Sequence, residues 1–259
     1  MRKLRLFLSF LLSAYPAFSW GPEGHNLVAR LAAAHLNPAA AAQVKAILGP
    51  GASIASVSSW ADQVRSSRRE TAPWHFIDIP ITQPHLDMTR DCPKGDCVIA
   101  KIEDFRKVLA DAAATPEQRN EALRFLVHFV GDMHQQLHCA DNNDRGGNEV
   151  RVDFFGRNMN LHSVWDSGLL GRMPPEDQLF AQLSMRLTEG RARKWGKGGP
   201  RDWAEEIHKT AVKVIYGKLP KTVPVTITAD YEKIADAVVK QQLERAGARL
   251  AATLNAALK

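Results

Sequence analysis

Residues 125–138 read FLVHFVGDMHQQLH, and the spacing of two residues inside them decides what the chain is built around. Phe125, Leu126, Val127, Phe129, Val130 and Met133 leave a helix here almost no wet face. Yet His128 and Asp132 sit among them four positions apart, which on an α-helix stacks both side chains on one side. An unpaired carboxylate in such surroundings is costly, and a shared cation removes that cost. The segment NLHSVWDS, residues 160–167, repeats the spacing with His162 and Asp166. His138 is out of step: six residues beyond Asp132 is about 240° of helical turn, so it serves a different ion from the pair or lies past a bend. More than one metal ion is implied.

Outward from this segment the chain reads as mainly α. Apolar residues recur at helical spacing over residues 22–35, 38–48, 53–65, 98–112, 116–138, 175–189, 200–215 and 229–257. Pro38 and Pro116 fit first-turn positions behind Asn37 and Thr115 as N-caps. One stretch alternates instead: Val150, Val152 and Phe154 against Arg151, Asp153 and Phe155, followed by Gly156-Arg157-Asn158. The expectation is a small β-hairpin near residues 149–160, preceded by a polar, glycine-containing loop over 141–148.

The first nineteen of the 259 residues carry Arg2, Lys3 and Arg5, then an apolar run, then Ala17-Phe18-Ser19. This is the pattern of a signal peptide over residues 1–19, leaving a single domain over 20–259 that is secreted or periplasmic. No stretch is apolar and long enough for a membrane span. Losing the leader lowers the formal charge from +6 to +3, compatible with a polyanionic substrate without requiring one. In an oxidising compartment Cys92 and Cys97, bracketing CPKGDC, are expected to pair, which leaves Cys139 as a buried thiol.

Further histidines and aspartates stand in apolar or tryptophan-flanked settings: His25, Asp62 in SSWADQVR, and His75. Imidazole and carboxylate suit zinc, in groups of three or four per ion. Taken together, WGPEGH (20–25), WADQVR (60–65), WHFID (74–78), residues 125–138, GGN (146–148) and NLHSVWD (160–166) resemble the motifs of the single-strand-specific S1/P1-type nucleases of fungi and plants, which also act as 3′-nucleotidases. The resemblance is ordered from Trp20 to about Asp166; the remaining residues share only helical character.

This resemblance implies a mostly helical domain of the phospholipase C/nuclease type holding three zinc ions in a cleft. Asp62, His75, His128 and Asp132 would hold the first, and His138, His162 and Asp166 the second. The third would be held by His25, a bridging Asp132, and the amino nitrogen and carbonyl oxygen of Trp20, a ligand that exists only after leader removal. Water activated between zinc ions would attack a phosphodiester, giving 5′-phosphate products from single-stranded DNA or RNA. Asp62, Asp132 and Arg65 would carry the chemistry. From spacing alone Arg65 reads equally as a surface residue; the resemblance favours contact with phosphate. Phe76, in a segment expected to be extended, would stack a base, with Asp78 and Asn148 near its edge; a core Phe76 and a turn-capping Asp78 remain the alternative. Gln136 replaces a proline of the family pattern between Asp132 and His138.

His134 reads as a supporting residue, and His35, His85 and His208 as structural or exposed. The basic run over 191–197, with Trp195 inside it, reads as a solvated loop rather than a nucleic-acid patch. No stable protein partner is implied, and the chain reads as a monomer. The rivals are a zinc-dependent phospholipase C, disfavoured by the short gap from Trp20 to His25 and by aspartate at 166, and a non-enzymatic zinc-binding protein, which predicts closed four-ligand sites.

Overall fold

The computed structural model describes residues 20–259. Helices α1 (Pro22–Ala33) and α2 (Pro38–Leu48) open it, followed by short α3 (Trp60–Val64) and α4 (Met88–Asp91), then α5 (Val98–Ala110) and the long α6 (Pro116–Met133). The sequence dictates their starts. Asn37 accepts the Ala40 amide at 2.8 Å ahead of Pro38. Thr115 and Gln118 cap each other's backbone amides ahead of Pro116, satisfying donors that a helix start otherwise leaves unpaired. After α6 come β1 (Arg151–Phe154), β2 (Arg157–Asn160), a single turn α7 (Leu161–Ser163), then α8 (Glu176–Arg186), α9 (Glu189–Trp195), α10 (Pro200–Thr210), β3 (Val225–Thr226) and α11 (Ala229–Ala257).

α5 and α6 pack together around Trp74, Phe105, Phe125 and Phe129, whose rings meet stacked, tilted or edge to face at centroid distances of 4.6 to 6.1 Å. α11 runs against α1, α6 and α9. At the α1 crossing, a Cβ on Gly247 would lie 2.6 Å from that of Leu31, so the two backbones approach as closely as they do because position 247 has no side chain. Among the described residues, no helix is long and apolar enough to cross a membrane.

The expected hairpin forms, with a tighter turn than the sequence suggested. Phe155 and Gly156, at φ 52° and 82°, make the whole connection, and Arg157 and Asn158 already pair with Phe154 and Asp153. β3 adds in parallel to the other side of β1, a long-range pairing that no local pattern announced. Residues 53–59 were expected to be helical and are turns, because serines compete for the backbone. Ser53 and Ser56 exchange side chain to amide bonds, and Ser58 donates to the Ala55 carbonyl. The WHFID segment is extended only from Phe76; Trp74 and His75 belong to a 3₁₀ turn over Arg69–His75 that contains Pro73.

Candidate metal centre and adjoining cavity

α6 is buried on all sides from Phe125 to Met133, and His128 and Asp132 are completely so. Their common helix face brings His128 Nε2 within 3.2 Å of Asp132 Oδ2. Two further imidazoles close on the same carboxylate. His25 from α1 places Nε2 3.3 Å from Oδ1, and His75, ending its 3₁₀ turn, places Nδ1 2.7 Å from Oδ2. Asp62 of α3 completes the group, its Oδ1 3.6 Å from His128 Nε2 and 3.9 Å from His75 Nδ1. The two oxygens of Asp132 thus face different neighbours, the disposition a bridging carboxylate needs.

α6 stops at Met133, and His138 lies in a separate 3₁₀ turn (Gln136–Cys139), so of the two readings of this residue the bend is observed. Gln136 does not prevent it: its side-chain amide donates to the His134 carbonyl at 3.0 Å. The turn stacks His138 on His162 with ring centroids 5.1 Å apart. α7 and the π-helical turn Val164–Gly168 then bring Asp166 Oδ2 to 3.4 Å from His162 Nε2. The Gly21 amide donates to the Asp166 carbonyl at 3.0 Å, which holds the fully buried Trp20 at this end of the site.

The orientation of three of the rings is fixed from behind. Nδ1 of His128, His138 and His162 donates to the carbonyls of Ser58, His75 and Gly146 at 2.7 to 2.8 Å, leaving every Nε2 as the inward-facing nitrogen. A run of left-handed backbone, Arg145 (φ 56°), Gly146 (59°) and Gly147 (81°), aims the Gly146 carbonyl at His162. A Cβ on Gly146 would meet the Leu137 carbonyl at 2.7 Å. Gln135 donates to Asp166 Oδ1 while its own oxygen accepts the Leu137 amide.

What remains is a concentration of buried polar atoms with no hydrogen-bond partner: both ring nitrogens of His25, Oδ1 of Asp62 and Asp132, and Nε2 of His75, His128 and His138. Folded proteins leave few such atoms, and each costs about 1–3 kcal/mol if nothing satisfies it. His138, His162 and Asp166 offer ligand atoms within 4.8 Å of one another, as do His75, His128 and Asp132, and His25, Asp62 and His128. These groups are placed to hold metal ions, and the donor set fits zinc.

The electrostatics agree. Burial alone would lower the His128 imidazole, but Asp132 and Asp62 outweigh it and hold it up at about 10, so the carboxylates are demanding a positive charge. Asp132, which burial would raise, is pulled well below the usual carboxylate range by His128 and His75. In the second group burial dominates: His138 falls to about 4, His162 to about 3 with help from His138, and Asp166 is pushed well above its ordinary value.

Beside these groups lies a cavity of about 200 Å³. Its lining includes His75, His138 and His162 together with Arg65, half-buried Phe76, Asp78 and Asn148, so the expected phosphate and base contacts converge and Phe76 is not a core residue. Arg145 and Asp141 also line it and were not singled out from the sequence; Gln135 was missed as well, although it stands inside the quoted segment. Other residues took the bland reading. His134 is buried between the Val130 carbonyl and Arg249, and His208 between the carbonyls of Cys139 and Gln83. His35 pairs with Glu189, and Trp195 lies between Arg191 and Arg245. Cys92 and Cys97 form the expected disulfide, and Cys139 is a buried free thiol.

Imidazole and carboxylate groups crowded below an open cavity define the class as a metal-dependent hydrolytic enzyme. More narrowly, the chain belongs to the S1/P1 nuclease family, whose model matches residues 20–259, well past the end of the motifs legible in the sequence. It is 33% identical to nuclease P1 of Penicillium citrinum over 266 residues, covering 91% of this chain and 97% of the relative. It is 32% identical to endonuclease 2 of Arabidopsis thaliana over 277 residues, covering 95% and 93%, and 33% identical to nuclease S1 of Aspergillus oryzae over 194 residues, covering 72% and 66%. It is therefore a nuclease, acting on nucleic acid.

Proposed function

We propose that the chain is an exported phosphodiesterase that uses three zinc ions to cleave single-stranded DNA and RNA, leaving 5′-phosphates, and that it also removes the phosphate of 3′-nucleotides. The observation that carries this reading is the convergence of orphaned nitrogens and oxygens on one buried locus under a cavity. Asp62, His75, His128 and Asp132 would hold one ion, and His138, His162 and Asp166 another. His25, Asp132 and the freed amino end and carbonyl of Trp20 would hold the third. Bound zinc would activate water as the nucleophile and stabilise charge on the phosphate and its leaving oxygen.

The protein supplies the rest. Backbone carbonyls hold the rings of His128, His138 and His162, which would limit reorganisation during the reaction. Arg65, which lines the cavity with His138 and His162, would pair with a phosphate oxygen. Phe76 offers a face for one unpaired base, which duplex stacking would hide, and this supports the single-strand preference. Export is supported by the leader pattern and by the Cys92–Cys97 disulfide.

Release of nucleotides from denatured and duplex DNA, with and without a chelator, tests this reading. Denatured DNA should be degraded preferentially, and activity should vanish on chelation and return with zinc. Equal attack on both strand states would remove the base-stacking role. Metal analysis should give three zinc ions per chain, and one extra residue ahead of Trp20 should lower the count to two.

A further inference from the structure

The mouth of the cavity has charges that the reaction itself does not use. Asp78 stands exposed there, two residues from Phe76. Arg145 is exposed on the facing loop, and among the described residues it makes no ion pair. Asp141, the other acid of the lining, has one oxygen engaged in the loop: its Oδ1 accepts the amides of Asp144 and Gly146 at 3.1 and 2.9 Å. One N–H of the Asn148 side chain donates to the Arg145 carbonyl at 2.8 Å, which steadies the Arg145 loop and leaves its second N–H for a ligand. A carboxylate and a guanidinium, both with open hydrogen-bonding capacity, therefore line the same cavity as Phe76.

Resting on the base-stacking reading above, we propose that this pair makes the cavity selective for guanine, with Arg145 as the specificity-determining residue. Guanine presents two adjacent acceptors, O6 and N7, which match the fork of a guanidinium, and two adjacent donors, N1–H and N2–H, which match a carboxylate. Adenine offers one exocyclic donor group and isolated ring nitrogens, so each contact becomes single. Uracil offers one donor. Arg145 lines the cavity with its backbone at a left-handed φ of 56°, a conformation residues other than glycine rarely adopt.

The test is kcat/KM of the zinc-loaded protein on the four dinucleoside monophosphates GpG, ApA, CpC and UpU, whose symmetry leaves no doubt about the base in the cavity. GpG should lead ApA by about tenfold, the lower end of what one bidentate base contact provides, because the cavity is open. Arg145→Met should bring GpG to within about twofold of ApA while changing UpU less than about twofold; the residue is exposed, and an unchanged Tm will show that the fold is intact. Equal rates on all four substrates by the unmodified protein would overturn guanine selectivity and leave the nuclease reading standing. An equal loss on all four in Arg145→Met would reassign the guanidinium to the phosphate and also overturn it. No cleavage of any substrate would sink the nuclease reading and this inference together.

Discussion

Asp132 and Asp78 are carboxylates of one site, and their surroundings drive them in opposite directions. Asp132 is completely buried among His25, His75 and His128, and is held well below the ordinary carboxylate range. Asp78 keeps contact with solvent at the cavity mouth. There, partial enclosure by the walls, reinforced by Asp141, pushes it up to about 6. The interior is arranged so that any change in charge must be answered by a cation. The rim tolerates a change, because water answers it. On the proposed reading, reaction chemistry sits where the structure is over-determined, and selectivity sits where substitution is cheap.

The contrast is broken most directly by neutralising each carboxylate in turn. Asp132→Asn removes the carboxylate that faces His25, His75 and His128 together, and its activity should fall by at least about 10³-fold, as for a residue acting as one unit with its neighbours. Zinc content should fall with it. Asp78→Asn should keep its zinc and its kcat and lose about tenfold in KM for guanine substrates. An Asp132→Asn protein that retained both zinc and rate would show that the buried cluster is structural.

Much of this was legible in residues 125–138, because helical spacing by itself puts His128 over Asp132 and a buried carboxylate by itself requires a cation. The bend before His138 was legible only as one of two alternatives. What the sequence could not show are contacts between elements remote in the chain. Gln135 reaches Asp166 only because two turns happen to meet, and Arg249 reaches His134 from the far end of the chain. Arg145 carries no local signal, since an arginine in a polar loop usually faces water; only its place in the lining of the cavity that holds Phe76 marks it out. The parallel pairing of β3 and the serine-driven turns at 53–59 escaped for the same reasons, long range in one case and side-chain competition with the backbone in the other.

The rigidity of the interior is sharpened by two glycines that carry no chemistry. A Cβ at Gly131 would lie 2.8 Å from His25 Nδ1, and one at Gly247 would lie 2.6 Å from the Leu31 Cβ. The crowding is similar, but the neighbour differs. Gly131→Ala displaces the His25 ring of the candidate metal centre without deleting a proposed ligand, and should cost about 10- to 100-fold in activity or zinc affinity, the range found when the support behind a ligand is removed. Gly247→Ala should instead lower stability by about 1–2 kcal/mol, overpacking being partly offset by the helix preference for alanine, with zinc content and rate per folded molecule unchanged. Equal effects of the two on activity would mean that the centre is no more exacting than ordinary packing.

The smallest effect belongs to the rim, and its sign is fixed by Asp78. Burial and the neighbouring Asp141, Asp144 and Asp91 raise this group, and Arg145 opposes them, with the balance at about 6. Above that pH the carboxylate accepts from both N1–H and N2–H of guanine; below it a proton occupies one acceptor position and the match is lost. The ratio of kcat/KM for GpG to that for UpU should therefore rise a few-fold between about pH 5 and pH 7. Taking the ratio cancels any pH effect on the metal ions, which both substrates share. In Asp78→Asn the ratio should be flat across the same range; a profile that still rose would place the titrating group elsewhere, with Asp141 the first residue to replace.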